Sequence, residues 1–203
     1  MIARRPDHTR SAFRRHYEDL HVPLALPSLH GLERYVRNHL RSSLDDGEPG
    51  FDVLTEFSYA SAEALSRVVT ALEGPEGDAI RQDELSFMDK ARNRFVAVQP
   101  LDGAPLGAAP GPEAHKVAWL AARPPGAEAA AFTEHCLEAS QPILDAALAF
   151  EALEALPARD GAVIDFAAFA WLPTDDAVAV LRSWQPDAAL AWRLVVDDAR
   201  TAL

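Results

Sequence analysis

Residues 13–25 read FRRHYEDLHVPLA, and residues 132–144 read FTEHCLEASQPIL. Phe13, His16 and Pro23 of the first stretch recur 119 positions later as the same residue types. In a chain so rich in alanine, matches of alanine mean little, whereas phenylalanine, histidine and proline at one offset indicate a duplication. We therefore interpret the chain as two diverged copies of one structural unit.

A linker separates the two copies. Residues 101–114 hold three glycines and three prolines among fourteen residues, a composition that disfavours both helix and strand. The stretches on either side each have the length of an ordinary domain. The predicted organisation is a first unit over residues 1–100, a linker over 101–114 and a second unit over 115–203.

Each copy shows the same order of predicted elements. In the second copy, the strand-like runs are 115–122, 163–172 and 190–196, and the helical patterns begin near 127 and cover 175–184. The first copy has predicted helices near 10–25 and 61–72. The order strand, helix, strand, strand, helix, strand is that of the ferredoxin-like unit, so we predict an α+β fold.

The offset between aligned residues shrinks along the chain. The aligned pairs are Tyr35 with Phe150, Phe57 with Phe169 and Val98 with Val196, at offsets of 115, 112 and 98. The last step gives the first copy fourteen extra residues, around 73–89, before its final strand. The first copy begins opposite Leu120, so most of its first strand is absent. We therefore expect translation to start upstream of Met1.

The spacing of apolar residues in the first helix predicts which of its faces is buried. At about 100° per residue, one apolar stripe faces a sheet, formed by Phe13, Tyr17, Leu20 and Leu24. His16 and His21 then lie on the two flanks of this stripe, roughly 140° apart, so no shared metal site is expected. Pro23 predicts a kink or an end of the helix. His21 is then either a cap of the freed carbonyl groups or an acid–base group that points into a cavity.

Residues 13–25 resemble the signature helix of the EthD-like family. The segments GLERYVRNH at 31–39 and DVLTEFSY at 52–59 resemble its second and third strands, and the resemblance spans nearly all of residues 1–100. The second copy resembles the family only through Phe132, His135, Pro142 and the strand order.

This resemblance implies a fold and a class of chemistry. The family belongs to the dimeric α/β-barrel superfamily, in which two ferredoxin-like units close a barrel around a small-molecule cavity. The two copies are therefore expected to form such a barrel within one chain, and a further homodimer stays open. Relatives act on aromatic polyketides and related small molecules as dehydratases or decarboxylases, and the superfamily includes cofactor-independent monooxygenases and lactone isomerases.

The polar residues favour the first copy as the site of the chemistry. The four polar residues of the first copy align with less polar residues at three positions: His21 with Ser140, Asn38 with Leu153 and Glu56 with Ala168, which lack an imidazole, an amide and a carboxylate, while His39 aligns with Glu154. We predict catalytic roles for His21, Glu56 and His16, and substrate contacts for Tyr35, Asn38, His39 and Phe57. Because side chains alternate along a strand, Asn38 and His39 point to opposite faces, and Tyr35 shares the face of His39.

Composition excludes several classes of function. The net charge of −12 argues against a nucleic-acid partner. No run of 18 apolar residues predicts a membrane span, and Cys136 is the single cysteine, so we expect a cytoplasmic protein. No nucleotide-binding motif occurs, and no cofactor is predicted. Three functions remain: a cofactor-free lyase, isomerase or oxygenase acting on a small molecule, a small-ligand-binding barrel without chemistry, and a scaffold.

Overall fold

The computed structural model describes residues 1–101, 110–111, 114–156, 163–173, 179, 181–182, 184 and 190–202. The predicted linker and the predicted helix at 175–184 lie mostly outside these residues. The chain has an α+β fold and divides into two compact units. Unit 1 comprises Met1–His39, Gly50–Arg94 and Asp198–Leu203, and unit 2 comprises Leu40–Pro49 and Phe95–Asp197.

Unit 1 combines a strand pair with helices on one of its faces. Its elements are α1 (Arg10–His16), a π-helical turn (Tyr17–His21), α2 (Val22–Ala25), a 3-10 turn (Leu26–Ser28), β1 (Leu32–Ser43, of which the last four residues belong to unit 2), β2 (Val53–Tyr59), α3 (Ala62–Glu73), a second 3-10 turn (Pro75–Gly77) and α4 (Asp78–Phe87). β1 and β2 are antiparallel. The hydroxyl of Ser61 accepts a hydrogen bond from the backbone N–H of Ala64 and so begins α3.

Alternation along β1 and β2 defines two faces. Tyr35 lies opposite Phe57 and Arg37 opposite Thr55, whereas Asn38 lies opposite Leu54 on the other face. Tyr35 and the buried Val53 pack in one core with helix residues, which include Phe13, Val68 and Phe87. The first of these faces therefore carries the helices, as the predicted split between Asn38 and His39 requires.

The buried stripe of the first helix differs from the prediction. Leu20 and Leu24 are 58% and 40% exposed, while His21, Val22 and Ala25 are buried. The cause is the π-helical turn, in which the backbone N–H of Val22 bonds to the carbonyl of Tyr17, five residues back. The extra residue in this turn moves the buried face one position along the chain. The helical path also continues through Pro23 to Ser28, so of the two outcomes predicted for Pro23, a kink or an end, the end is wrong.

Unit 2 is built on an antiparallel sheet. Its elements are β3 (Val98–Pro100), β4 (His115–Ala122), α5 (Ala129–Ala139), α6 (Gln141–Leu144), β5 (Ala149–Ala155), β6 (Phe166–Leu172) and β7 (Leu190–Arg200), of which the last three residues belong to unit 1. The strands pair in the order β7-β4-β6-β5-β3. Phe132, Cys136 and Ile143 from the two helices pack on Trp119 and its neighbours in a continuous core.

The last strand predicted for the first copy has another position. Val98 begins β3, which pairs with β5 inside unit 2 and not with the strands of unit 1. In unit 1 the neighbour of β1 is the end of the chain, where the backbone N–H of Thr201 bonds to the carbonyl of Tyr35 at 3.2 Å. A strand is therefore present at Val98, as predicted, but the local pattern does not determine which strand it pairs with.

The alignment of the third strands is wrong by one residue. Tyr35 pairs with Phe57 in β1–β2, whereas its aligned residue Phe150 pairs with Ala170 in β5–β6. Phe57 therefore corresponds to Ala170, and Glu56 corresponds to Phe169. A slip of one residue exchanges the two faces of a strand. The second copy still lacks the carboxylate of Glu56, but the residue at that position is phenylalanine and not alanine.

Candidate proton-transfer site

Asp83 joins the two histidines of the first helical segment. One of its carboxylate oxygens lies 2.8 Å from Nε2 of His16, and the other lies 2.8 Å from Nδ1 of His21. Asp83 is on α4, which lies against the helical segment that carries the histidines. All three side chains are at least three-quarters buried. The structure thus brings together two predicted site residues through a third that was not predicted.

The π-helical turn explains why the two imidazoles converge. In a regular α-helix a separation of five residues corresponds to roughly 140°. A π-helical turn closes a hydrogen bond between residues five apart, so such residues lie on nearly the same side. The turn covers Tyr17–His21 and therefore turns His21 toward the side of His16. The prediction that the two histidines lie on separate flanks is wrong for this reason.

Asp83 also sets the chemical state of the imidazoles. An ionised carboxylate only accepts hydrogen bonds, so in the neutral imidazoles the proton is on Nε2 of His16 and on Nδ1 of His21. Nε2 of His21 then carries a lone pair, and it makes no hydrogen bond to the residues that the structure describes. The ring of Phe87 stacks on His16, with 4.3 Å between centroids, and holds the arrangement in place.

A second cluster contains Glu18, Arg37 and His39. The guanidinium of Arg37 donates to both oxygens of Glu18, from Nε at 3.2 Å and from Nη2 at 2.7 Å. His39 Nε2 lies 2.5 Å from Oε1 of the same carboxylate. Burial alone raises the pKa of Glu18, but the hydrogen bonds from His39 and Arg37 and their charges outweigh it and lower the pKa to about 2. Glu18 is therefore an ionised acceptor at neutral pH.

Arg37 is itself held in a fixed orientation. Its Nη1 donates to the hydroxyl of Thr201 at 2.6 Å and to the carbonyl of Tyr35 at 3.2 Å. The guanidinium lies over the ring of Tyr35, 4.4 Å from its centroid. A planar guanidinium that is buried with all of these partners is a rigid support for the carboxylate that it binds.

Tyr17 of the π-helical turn and Tyr35 of β1 pack in the same core of unit 1. The hydroxyl of Tyr17 lies 3.2 Å from that of Thr55, and burial raises the pKa of Tyr17. Burial likewise raises the pKa of Tyr35, so both phenols are neutral at physiological pH. Phe57 stacks on Tyr35 at 4.7 Å between centroids and remains 41% exposed. Tyr35 and His39 therefore share one face, as predicted, and Phe57 lies on the same face, while the roles of all three toward a substrate stay predictions.

Glu56 and Asn38 lie on the other face of the strand pair. Oε2 of Glu56 accepts a hydrogen bond from Arg34 at 2.8 Å, and Oε1 accepts one from Nδ2 of Asn38 at 2.6 Å. Oδ1 of the fully buried Asn38 has no hydrogen-bond partner among the described residues. The structure does not bring His21 and Glu56 together, because the sheet separates the helix face from the face of Glu56.

The second copy lacks this network. At the position of His21 it has Ser140, whose hydroxyl donates to the carbonyl of Cys136 at 2.6 Å and accepts from Nε1 of Trp119 at 3.0 Å. At the position of Glu18 it has Leu137, at an offset of 119. Its retained histidine, His135, is exposed. The polar groups of the second helix thus serve packing and the hydrogen bonds of the core.

Asp83, Glu18 and Arg37 are the site residues that the sequence reasoning missed. Asp83 belongs to the extra segment around 73–89 of the first copy, which becomes α4. That extra segment was the available signal, because an insertion with no counterpart in the second copy has no packing role that both copies share. Glu18 gave no signal, since an acidic residue on a predicted helix surface is ordinary.

Other features of the molecule bear on the class of site. In the part of the chain that the structure describes, no group of three histidine, cysteine, aspartate or glutamate side chains is arranged to hold a metal ion. No described helix is long and apolar enough to cross a membrane. A surface groove of about 430 Å³ lies along α3, lined by residues that include Ser66, Thr70 and Glu76, and it contains none of the predicted site residues.

Comparisons with known proteins agree with this fold. Residues 5–91 match the EthD domain. This EthD match lies within the first predicted unit, covers both histidines and Asp83, and confirms the resemblance for the first copy. A solved structure described as an anthrone oxidase-like protein is similar to this chain with a TM-score of 0.57 at 13% identity, over 95% of this chain and 88% of the other. At this identity the likeness shows a shared fold. No curated protein matches the chain.

Proposed function

We propose that this chain is an enzyme that removes a proton from a small aromatic ketone, at a carbon whose carbanion is conjugated with the carbonyl group, with His21 as the base. The carbon–hydrogen bond breaks, its proton passes to Nε2 of His21, and its electron pair moves onto the carbonyl oxygen as an enolate. The pairing of His21 with Asp83 carries the proposal, because a carboxylate at Nδ1 fixes the tautomer and stabilises the imidazolium that forms.

The comparisons support the substrate class. The EthD domain covers the residues of the proposed site, and the solved structure of similar fold is described as anthrone oxidase-like. Anthrone is a tricyclic aromatic ketone whose methylene protons are acidic, because their loss gives an aromatic enolate. Dehydratases, isomerases and cofactor-independent oxygenases acting on such compounds share this first proton transfer. The proposed function is therefore this first proton transfer, which these reactions have in common.

The duplication remains part of the proposal. Two observations support two ferredoxin-like units that close one barrel: the repeated phenylalanine, histidine and proline, and the strand order of unit 2, in which the last strand of the second copy neighbours its first. Glu56 and Asn38 would then serve a ligand on the face without helices. A cytoplasmic location and a homodimer stay predictions from the sequence.

Proton exchange in deuterated water tests the proposed function. We expect the wild-type protein to accelerate deuterium incorporation into the methylene groups of anthrone and phenylacetone, followed by NMR. His21→Ala should reduce the acceleration by at least about 100-fold, which is the scale of a positioned general base. The matched control is His135→Ala, the exposed histidine of the second copy, and it should exchange like wild type. Binding without exchange would refute the enzyme and favour a ligand-binding protein.

A further inference from the structure

A second imidazole–carboxylate pair lies beside the first. The ring of Tyr17 is edge-on to the ring of His21 at 5.3 Å between centroids and edge-on to the ring of His39 at 5.9 Å. His21 is paired with Asp83, and His39 is paired with Glu18. Both pairs thus border one buried phenol ring, although the proposed proton transfer uses only one of them.

In the second pair, as in the first, a carboxylate fixes the tautomer of a histidine. Glu18 accepts the hydrogen bond of His39 at Nε2, so in the neutral imidazole the lone pair is on Nδ1. Nδ1 of His39 makes no hydrogen bond to the described residues. His39 is 3% exposed and therefore has little freedom to turn. The result is a second fixed acceptor nitrogen on the helix face of unit 1.

We infer that His39 accepts a hydrogen bond from a hydroxyl group of the substrate, and that Glu18 is the positioning residue that holds the Nε2–H tautomer of His39. This inference rests on the proposed function and narrows its substrate class to aromatic ketones that carry a phenolic hydroxyl. One acceptor takes the acidic carbon-bound proton, and the other binds the hydroxyl proton.

The charges around Glu18 support this role. Arg37 is the cation that faces the carboxylate, and the nearby phenols of Tyr17 and Tyr35 are neutral. The carboxylate therefore stays ionised and keeps accepting from His39. A protonated Glu18 would offer a donor to Nε2 and would favour the other tautomer of His39, in which Nδ1 carries the proton and cannot accept.

A pair of probes that differ only in the hydroxyl proton tests the inference. The probes are 4-hydroxyphenylacetone and its methyl ether, 4-methoxyphenylacetone, both with an acidic methylene group. For the wild-type protein we expect the KM of deuterium exchange to be about tenfold lower for the hydroxyl probe, the size of one hydrogen bond that a site is built to make. The kcat values of the two probes should be similar.

Two variants separate recognition from folding. His39→Phe keeps a ring and removes both nitrogens, so the KM of the hydroxyl probe should rise about tenfold relative to that of the methoxy probe, and the preference for the hydroxyl probe should vanish. Glu18→Gln keeps the shape and removes the charge, and the nitrogen NMR spectrum of His39 should change from the Nε2–H tautomer to a mixture. His135→Phe is the matched control and should keep the preference.

The outcomes distinguish this inference from the proposed function. If the wild-type protein exchanges both probes with equal KM, or if His39→Phe keeps the preference, the inference is wrong and the proton transfer by His21 stands. If the wild-type protein exchanges neither probe, the proposed function fails, and calorimetric binding of the two probes decides the inference in place of KM. Equal affinities, or an Nδ1–H tautomer of His39 in the wild-type protein, would overturn it.

Discussion

A carboxylate oxygen of Asp83 lies 2.8 Å from Nδ1 of His21, although the two residues are 62 positions apart in the chain. Because the carboxylate orients the imidazole and fixes its tautomer, Asp83→Asn should lower the rate of proton exchange by at least about 100-fold, toward the ~10⁴-fold loss known for the carboxylate of a catalytic triad. NMR exchange kinetics measure the rate. Asp78→Asn, on the same helix and 75% exposed, is the control and should change little. Equal rates in both variants would contradict the role of Asp83.

The π-helical turn makes a prediction about which positions tolerate charge. Leu20 is exposed, so Leu20→Glu should change the free energy of unfolding by no more than about 0.5 kcal/mol. Ala25 is 5% exposed, and Ala25→Glu should cost more than about 3 kcal/mol, because it buries an unpaired carboxylate in a packed core. Urea unfolding measures both variants. If the helix were regular, Leu20 would face the sheet, and Leu20→Glu would greatly lower the free energy of unfolding.

Glu18 predicts a component of acid unfolding. The pKa of Glu18 is lowered in the folded state from its ordinary value of 4.5 to about 2. Its ionised form therefore stabilises the fold above about pH 4.5, and this contribution is lost as the pH falls toward 2. We expect about 1–2 kcal/mol, after allowance for the solvent that reaches the carboxylate.

Urea unfolding at pH 6 and pH 3 measures this contribution. Glu18→Gln should be less stable than wild type at pH 6, and the difference should narrow at pH 3, because the glutamine does not titrate. A difference that stays constant between the two pH values would show that the charge of Glu18 does not support the fold.

Thr201 near the end of the chain supports Arg37. Thr201→Val removes the hydroxyl that accepts from Nη1, while the carbonyl of Tyr35 still accepts from the same nitrogen. We therefore expect a loss of only about 1 kcal/mol, the net value of one hydrogen bond. Arg37→Met should cost about 3–5 kcal/mol, because it leaves the carboxylate of Glu18 without its cation. Thermal unfolding compares the two variants, and similar losses would contradict this ranking.

Much of the fold was predictable from local patterns. The strand at 115–122 coincides with β4, and the helix near 61–72 coincides with α3, which follows the cap residue Ser61. The opposite faces of Asn38 and His39 follow from the alternation of a strand, which depends on neighbouring residues alone. These signals are short-range, and one segment of sequence contains all of the information that they need.

The parts that failed involve an added residue or a distant partner. The stripe through Leu20 was wrong because a count at 100° per residue does not foresee a π-helical turn, which changes every later angle. The pairing of Phe57 with Phe169 was wrong because apolar residues occupy both faces of that strand, so the pattern does not distinguish a slip of one residue. The partner of β3 was missed because strands pair through backbone hydrogen bonds, which do not depend on the identity of the side chains.

The sequence by itself determined the strand at 115–122, the helix at 61–72, the proline repeated in the first helical segment of each copy, and the location of five of the seven histidines in residues 1–100. These properties follow from local periodicity and composition. Only the tertiary structure decided that Asp83 meets His16 and His21, and that Glu18 meets Arg37 and His39. Each meeting depends on how a π-helical turn rotates one helix and on where α4 and β1 pack against it, and both are properties of the folded chain as a whole.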